Sequence, residues 1–223
     1  MLKKLIVNQK TVPVPVPVRN LAEACSWIEE VLVPIGETVT SATLDGKDIL
    51  ELWGSTKACA SIGLHDASRI EVRIESPEDL ALQSFDAMHS LAEAILRGLK
   101  SLAVHLWQAR KNDIQPELDA VQEDLGLIRE LMDRIEEMGV EDKIDLRLIR
   151  ELRGRVHNIK LAIDGACGVG DWKATAQILL RDTPTAIGLE TSLRQLLVES
   201  EACHVRLFSI RHNKTKGAHA NSK

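Results

Sequence analysis

Three prolines at alternate positions punctuate the run Val12-Pro13-Val14-Pro15-Val16-Pro17-Val18, and no other feature of this 223-residue chain restricts its fold so tightly. In an extended strand, residues two apart turn their backbone groups toward the same edge. The rings of Pro13, Pro15 and Pro17 therefore strip the N–H donors from one edge only, while Val14, Val16 and Val18 keep theirs for the other. Such a strand pairs on one side, lies at the edge of a sheet and is protected from pairing with a foreign strand. A polyproline helix that docks in a partner's aromatic groove is the competing reading. The alternating valines suit a half-buried strand better.

The neighbouring segments complete a small sheet. Leu5-Ile6-Val7 reads as a strand, Asn8-Gln9-Lys10 as a turn, and Thr11 to Val18 as the returning strand of a hairpin. Asn20 with Glu23 three residues on has the form of a capping box. A helix follows with Leu21, Ala24, Ile28 and Val31 at helical spacing and Leu32 beside them, closed by Pro34 and Gly36. Thr38 to Leu44 is extended, Asp45-Gly46 is a tight-turn signal, and Ile70, Val72 and Ile74 alternate on one face of a last strand over 69–75.

The order hairpin, helix, strand, turn, final strand resembles the β-grasp fold of ubiquitin and its relatives. Leu44-Asp45-Gly46-Lys47-Asp48-Ile49 is similar to the strand-turn-Gly-Lys segment of those domains. The resemblance covers residues 1–76 and implies a second strand at the sheet edge, in agreement with the proline argument. Sulfur carriers and protein modifiers of that superfamily end in a free Gly-Gly tail. Here the last strand runs into Ser76-Pro77 with no Gly-Gly dipeptide. The resemblance therefore implies a fixed recognition module rather than a conjugated one.

Residues 77–212 read as an all-α bundle. Ser76, Pro77 and Asp79 start a long helix with Phe85, Met88, Leu91, Ile95, Leu99, Leu102 and Leu106 on one stripe, widened by Leu96, Ala103 and Trp107. Pro116 opens a second helix that Gly139 ends, with Leu118, Val121, Leu125, Ile128, Met132 and Ile135 on its face. A third runs from about Asp142 through Ile144, Leu148, Leu152, Val156, Ile159 and Ile163 until Gly165, Gly168 and Gly170 break it. Asp171 caps a short fourth, Pro184 interrupts, and a last helix carries Ile187, Leu193, Leu196, Leu197, Cys203, Leu207 and Ile210. Residues 213–223 read as a flexible basic tail. Gly170-Asp171-Trp172 followed by Ala176-Gln177-Ile178-Leu179 also resembles a segment of uncharacterised bacterial helical-domain proteins. Leu180-Arg181-Asp182 stands where those carry an acidic-aromatic-acidic triplet, and the resemblance implies no activity. The fold class is thus α+β: a β-grasp domain at 1–76, a helical bundle at 77–212 and the tail.

Two acid-x-x-His pairs, Asp86 with His89 and Glu201 with His204, fall on expected helices, where three-residue spacing puts each pair on one face. These are candidate metal ligands. Carboxylate-bridged di-metal bundles use two Glu-x-x-His pairs plus one Glu from each of two further helices, here Glu123, Glu130 or Glu151. With 7 histidines and 33 acids, chance supplies such spacing once or twice, so the ordinary reading is a solvated face. Arg147, Arg150, Arg153 and Arg155 make the third helix basic, while the acids Asp133, Glu136, Glu137, Glu141 and Asp142 dominate the preceding helix and loop. The bland account is two solvated faces with weak mutual pairs; the sharper one is a dock for an acidic partner.

Gly165 to Asp171 could cradle phosphate before a helix. It follows a helix rather than a strand and lacks the P-loop Lys and Ser/Thr, so it reads as a helix–helix turn. Cys167 could be a nucleophile, but no local sequence feature identifies a base for it. The scattered cysteines, Cys25, Cys59, Cys167 and Cys203, form neither a zinc pattern nor a disulfide framework.

The net charge of −5 and the 3% aromatic content argue against nucleic acid as a partner. No apolar run approaches membrane-spanning length, and the apolar stretch within Met1–Val7 is too short for a signal peptide. The expectation is a cytoplasmic, non-enzymatic adaptor or regulator that binds a protein partner or a second copy of itself, with no cofactor. A metal- or small-molecule-binding bundle is the alternative, and a chaperone-like binder of an amphipathic helix is a further one.

Overall fold

The computed structural model describes residues 2, 4–14, 17–108, 111–180 and 188–220. The chain divides into two compact units, Met1–Pro77 and Glu78–Lys223. The first is a five-stranded mixed sheet with helical segments; the second is helical.

The strands are β1 (Lys4–Val7), β2 (Lys10–Val12), β3 (Thr38–Leu44), β4 (Lys47–Asp48) and β5 (Arg69–Glu75), in the order β2-β1-β5-β3-β4. β1 and β5 are parallel; all other pairs are antiparallel. Asn8 and Gln9 both adopt positive φ (48° and 66°), as do Asp45 (52°) and Gly46 (80°). Each two-residue turn therefore has the twist that joins neighbouring antiparallel strands directly. Ile70, Val72 and Ile74 of β5 are buried as their alternation predicts, with Leu5 of β1 and Ala42 of β3. A bulge between Val39 and Ser41 frees Thr40 to donate its hydroxyl to Glu75 Oε2 at 2.8 Å. Arg73 Nη2 lies 2.6 Å from the other Glu75 oxygen, so this buried carboxylate is neutralised and hydrogen-bonded.

β2 lies at the sheet edge, paired with β1 alone. It ends at Val12, six residues before the expected Val18. The hairpin register would carry Leu2 opposite residue 15, but Leu2 N–H donates to the Val18 carbonyl at 3.0 Å. Two tertiary demands pull Val18 there. Its side chain is buried in the core, and Arg19 and Leu21 bond to the strand-like stretch 62–64 (Leu64 N–H to Arg19 O 2.7 Å, Leu21 N–H to Ile62 O 2.9 Å). Pro15 and Val16 lie outside the described residues.

Helix α1 (Leu21–Trp27) starts at Asn20, whose side chain accepts the Glu23 N–H at 2.9 Å. Glu23 reaches back to the Arg19 N–H at 2.7 Å, one residue further than in a standard capping box. The helix continues as a π-helical turn over Ile28–Leu32, closed by Val33 N–H to Ile28 O. The wider turn rotates the register. Val31, expected on the core face, is therefore 61% exposed, while Leu32 packs against the core. A 3₁₀ turn (Leu50–Leu52) and a short helix α2 (Thr56–Ala60) fill the stretch before β5 and were not anticipated.

The second unit comprises α3 (Pro77–Trp107), α4 (Lys111–Glu137), α5 (Arg147–Gly168), α6 (Trp172–Leu180) and α7 (Leu189–Ala220) around one apolar core. All six stripe residues of α4 from Leu118 to Ile135 are buried. Pro116 sits inside α4 instead of opening it. Burial of Ile114, one turn before Leu118 on the same face, carries the helix upstream at the expense of one main-chain hydrogen bond. α5 starts at Arg147 rather than near Asp142, because the Asp145 side chain accepts the Arg147 N–H (3.0 Å) and Val140, Ile144 and Leu146 are buried in the preceding turns. On α3, Trp107 is 46% exposed and adds nothing to the stripe. The backbone of α7 is helical through Ala220, into the stretch read as a flexible tail; that stretch has no proline to stop it. Pro184 and Ile187 lie outside the described residues. No helix among the described residues is long and apolar enough to cross a membrane.

Candidate functional site

α3 and α7 lie side by side and antiparallel. Arg211 Nη1 is 2.8 Å from Asp79 Oδ1, and His204 Nε2 is 3.6 Å from Asp86 Oδ1. The two pairs are seven residues apart on both helices, two turns in opposite directions. This register brings together the two acid-x-x-His pairs that the sequence placed 115 positions apart. Asp86, His89, Glu201 and His204 line one cavity of about 200 Å³, joined by Phe85 and Ser200.

Each helix contributes the same spacing: Phe85, Asp86 and His89 from α3, and Ser200, Glu201 and His204 from α7. The first member of each triplet is buried, each 1% exposed, because it belongs to its helix's core stripe. The next residue is turned by about 100° and reaches the rim, and the histidine one turn on stands beside it. Ser200 donates its hydroxyl to Leu197 O at 3.1 Å. Along α7, the His204, Phe208 and His212 rings follow one another at centroid separations of 6.4 and 6.2 Å. The residues that the sequence reading missed are Phe85 and Ser200 at the floor, and Glu93, whose Oε1 is 3.7 Å from His89 Nε2. The repeated acid-x-x-His signal was the only lead to the cavity.

As the side chains lie, no group of three His, Cys, Asp or Glu among the described residues is arranged to hold a metal ion. The di-metal arrangement is not assembled. Glu123 and Glu130 line a separate groove with Gln122, Lys160 and Asp164, because that face of α4 is turned to α5. Glu151 lies beside Arg155 on its own helix, at 3.9 Å.

The four arginines are engaged within the unit. Arg147 meets Asp145 through several contacts of 2.6–3.0 Å. Arg150 meets Glu136 (2.9 Å) and Glu141 (3.5 Å), and Arg153 meets Asp133 (2.9 Å) and Glu136 (2.6 Å). Arg155 Nη1 donates to Gln195 Oε1 at 3.0 Å. An acidic partner would have to displace these internal carboxylates, so the geometry favours the mutual-pair account of this face.

The glycine-rich stretch is a helix–helix turn: α5 ends at Gly168, Gly170 takes φ +71°, and Asp171 Oδ1 accepts the Ala174 N–H at 2.9 Å to start α6. Burial pushes the Cys167 thiol up and outweighs its contact with Thr175 Oγ1 (3.7 Å), the opposite of what a nucleophile needs. Burial, and then the neighbouring Cys59, push the Cys25 thiol up to about 12.

Comparison of the chain with protein-family models, with curated proteins and with solved structures finds no match.

Proposed function

We propose that this chain is a non-enzymatic interaction protein whose N-terminal unit is a ubiquitin-like (β-grasp) recognition module. The observation that carries the reading is the strand order β2-β1-β5-β3-β4 with β1 and β5 parallel. The sequence resemblance over residues 1–76 implied a second strand at the sheet edge, and the edge position of β2 supports the reading. The prolines beyond β2 and the two-residue length of β4 leave little edge for strand addition. Recognition therefore falls to the sheet face turned away from the core of the unit. There Ile6 stands between Thr11 and Glu71, with Thr43 beyond, opposite the face that carries Leu5, Ile70 and Val72 into the core. Because β5 continues into Ser76-Pro77 and α3, the module is held in the chain and acts by contact, not by conjugation.

The test is affinity capture by the full chain followed by mass spectrometry, run beside an Ile6→Lys/Thr43→Lys variant with an unchanged circular dichroism spectrum. The expected result is a reproducible protein partner retained by the parent and lost by the variant. A parent that captures nothing reproducible and is strictly monomeric would overturn the reading.

A further inference from the structure

We propose that Asp86, His89, Glu201 and His204 form a site for one divalent transition-metal ion of the zinc, cobalt and nickel class, clipping α3 to α7. The inference is independent of the recognition role of the sheet unit.

Three observations carry it. The first is the donor set. Two imidazoles and two carboxylates are the side chains that this class of ion takes, and together with a dication they make a neutral site. Among the described residues no Lys or Arg lines the cavity to neutralise its two carboxylates. The second is spacing. Each helix offers an acid and a histidine one turn apart, and the antiparallel register set by Asp79 with Arg211 brings the two pairs to one opening. The third is a distance. Two ligand atoms on a tetrahedral ion with bonds of about 2.1 Å stand about 3.4 Å apart; Asp86 Oδ1 and His204 Nε2 are 3.6 Å apart. That pair is already spaced as two ligands of one ion.

His89 and Glu201 complete the set by side-chain rotation. His89 leans on Glu93 across 3.7 Å, and Glu93 also attends Arg97, so the histidine gives up only a weak, exposed contact. Asp86, His89 and His204 have side-chain exposures of 66%, 37% and 36%, which leaves them free to change rotamer, while buried Phe85 and Ser200 hold the backbone beneath them.

The test uses the full chain stripped with chelator and titrated with Zn²⁺ by calorimetry and with Co²⁺ by visible absorption. The expected result is one ion per chain, a Co²⁺ spectrum of four-coordinate nitrogen–oxygen type and a raised Tm. His89→Ala and His204→Ala should each weaken binding by about tenfold or more, with His105→Ala, elsewhere in the unit, as the control that does not. None of the three positions is buried, so the variants should keep the parental circular dichroism spectrum. The proposal is overturned if the parent binds no ion, or if binding survives the combined His89→Ala/His204→Ala substitution. The latter outcome would show an adventitious ion on other histidines, such as those after residue 211.

Discussion

The Asn8 side chain pairs with Ile74 as a strand residue would: its amide donates to Ile74 O at 3.0 Å, and its carbonyl oxygen accepts the Ile74 N–H at 2.9 Å. Its own backbone N–H donates to Val72 O at 3.0 Å. The β1–β5 ladder is thus extended past the point where β1 turns away. Asn is suited to both tasks, since it tolerates φ of 48° and its side-chain amide has the donor and acceptor of a peptide group. Asn8→Gly should destabilise the chain by about 1–3 kcal/mol, because Ile74 loses both partners. Asn8→Ala should cost about 1–2 kcal/mol more, from the left-handed backbone. Urea titration of both variants against the parent checks the order.

The Asn20 cap gives a second expectation. Asn20 Oδ1 satisfies the Glu23 N–H, and Glu23 in turn satisfies the Arg19 N–H. Asn20→Ala should cost about 1 kcal/mol. A double-mutant cycle with Glu23→Ala should show coupling, since Asn20 Nδ2 also donates to Glu23 Oε1 at 3.0 Å.

The α4–α5 contact is a polar ladder. Gln122 with Asp164, Arg129 with His157 and Glu136 with Arg150 follow at seven-residue steps in opposite directions, and Arg153 bridges Asp133 and Glu136 between them. These side chains are partly exposed, so each pair contributes little. Arg153→Met should lower stability by about 0.5–1 kcal/mol at low salt, with the difference shrinking toward ~1 M NaCl. Denaturation of parent and variant at both ionic strengths measures it.

Asp145 should titrate far below an ordinary carboxylate. The hydrogen bond from the Arg147 guanidinium, and next the Arg147 N–H, hold its pKa at about 2, against 3.8 unperturbed. The folded pKa is depressed, so the associated stability is present above about pH 4 and is lost as pH falls toward 2. Carboxyl-carbon NMR should find this midpoint, and Arg147→Gln should move it up.

The thiols behave in the opposite sense. Burial first, and then Cys59, raise Cys25 to about 12, and burial first raises Cys203 to about 11. Both folded values lie above the ordinary 9.0, so this contribution to stability is complete below pH 9 and is lost as pH rises toward 11–12. Alkylation of the native protein at pH 8 should spare Cys25 and Cys203 and modify the less buried Cys167 first. Peptide mass mapping reads the order.

Much of this architecture was legible along the chain. Alternation located β5, the Asp45-Gly46 turn located the β3–β4 hairpin, and helical periodicity located the stripe of α4, because each of these is a local repeat in which one backbone period meets one buried face. The acid-x-x-His pairs were visible too, but whether they were two solvated faces or one cavity depended on the α3–α7 register. That register belongs to packing between segments far apart in sequence. The same holds for the end of β2 at Val12, drawn off the ladder by the burial of Val18, and for the displacement of Val31 by a π turn that no local signal announces.

By itself, then, the sequence determined most of the segments that extend or coil and where most of them turn, since backbone sterics and side-chain periodicity act over a few residues. Tertiary structure alone decided which carboxylates the arginines of α5 meet and that Asp86 faces His204. Both outcomes depend on how helices with similar apolar stripes pack, and that choice is made by side-chain complementarity across the core.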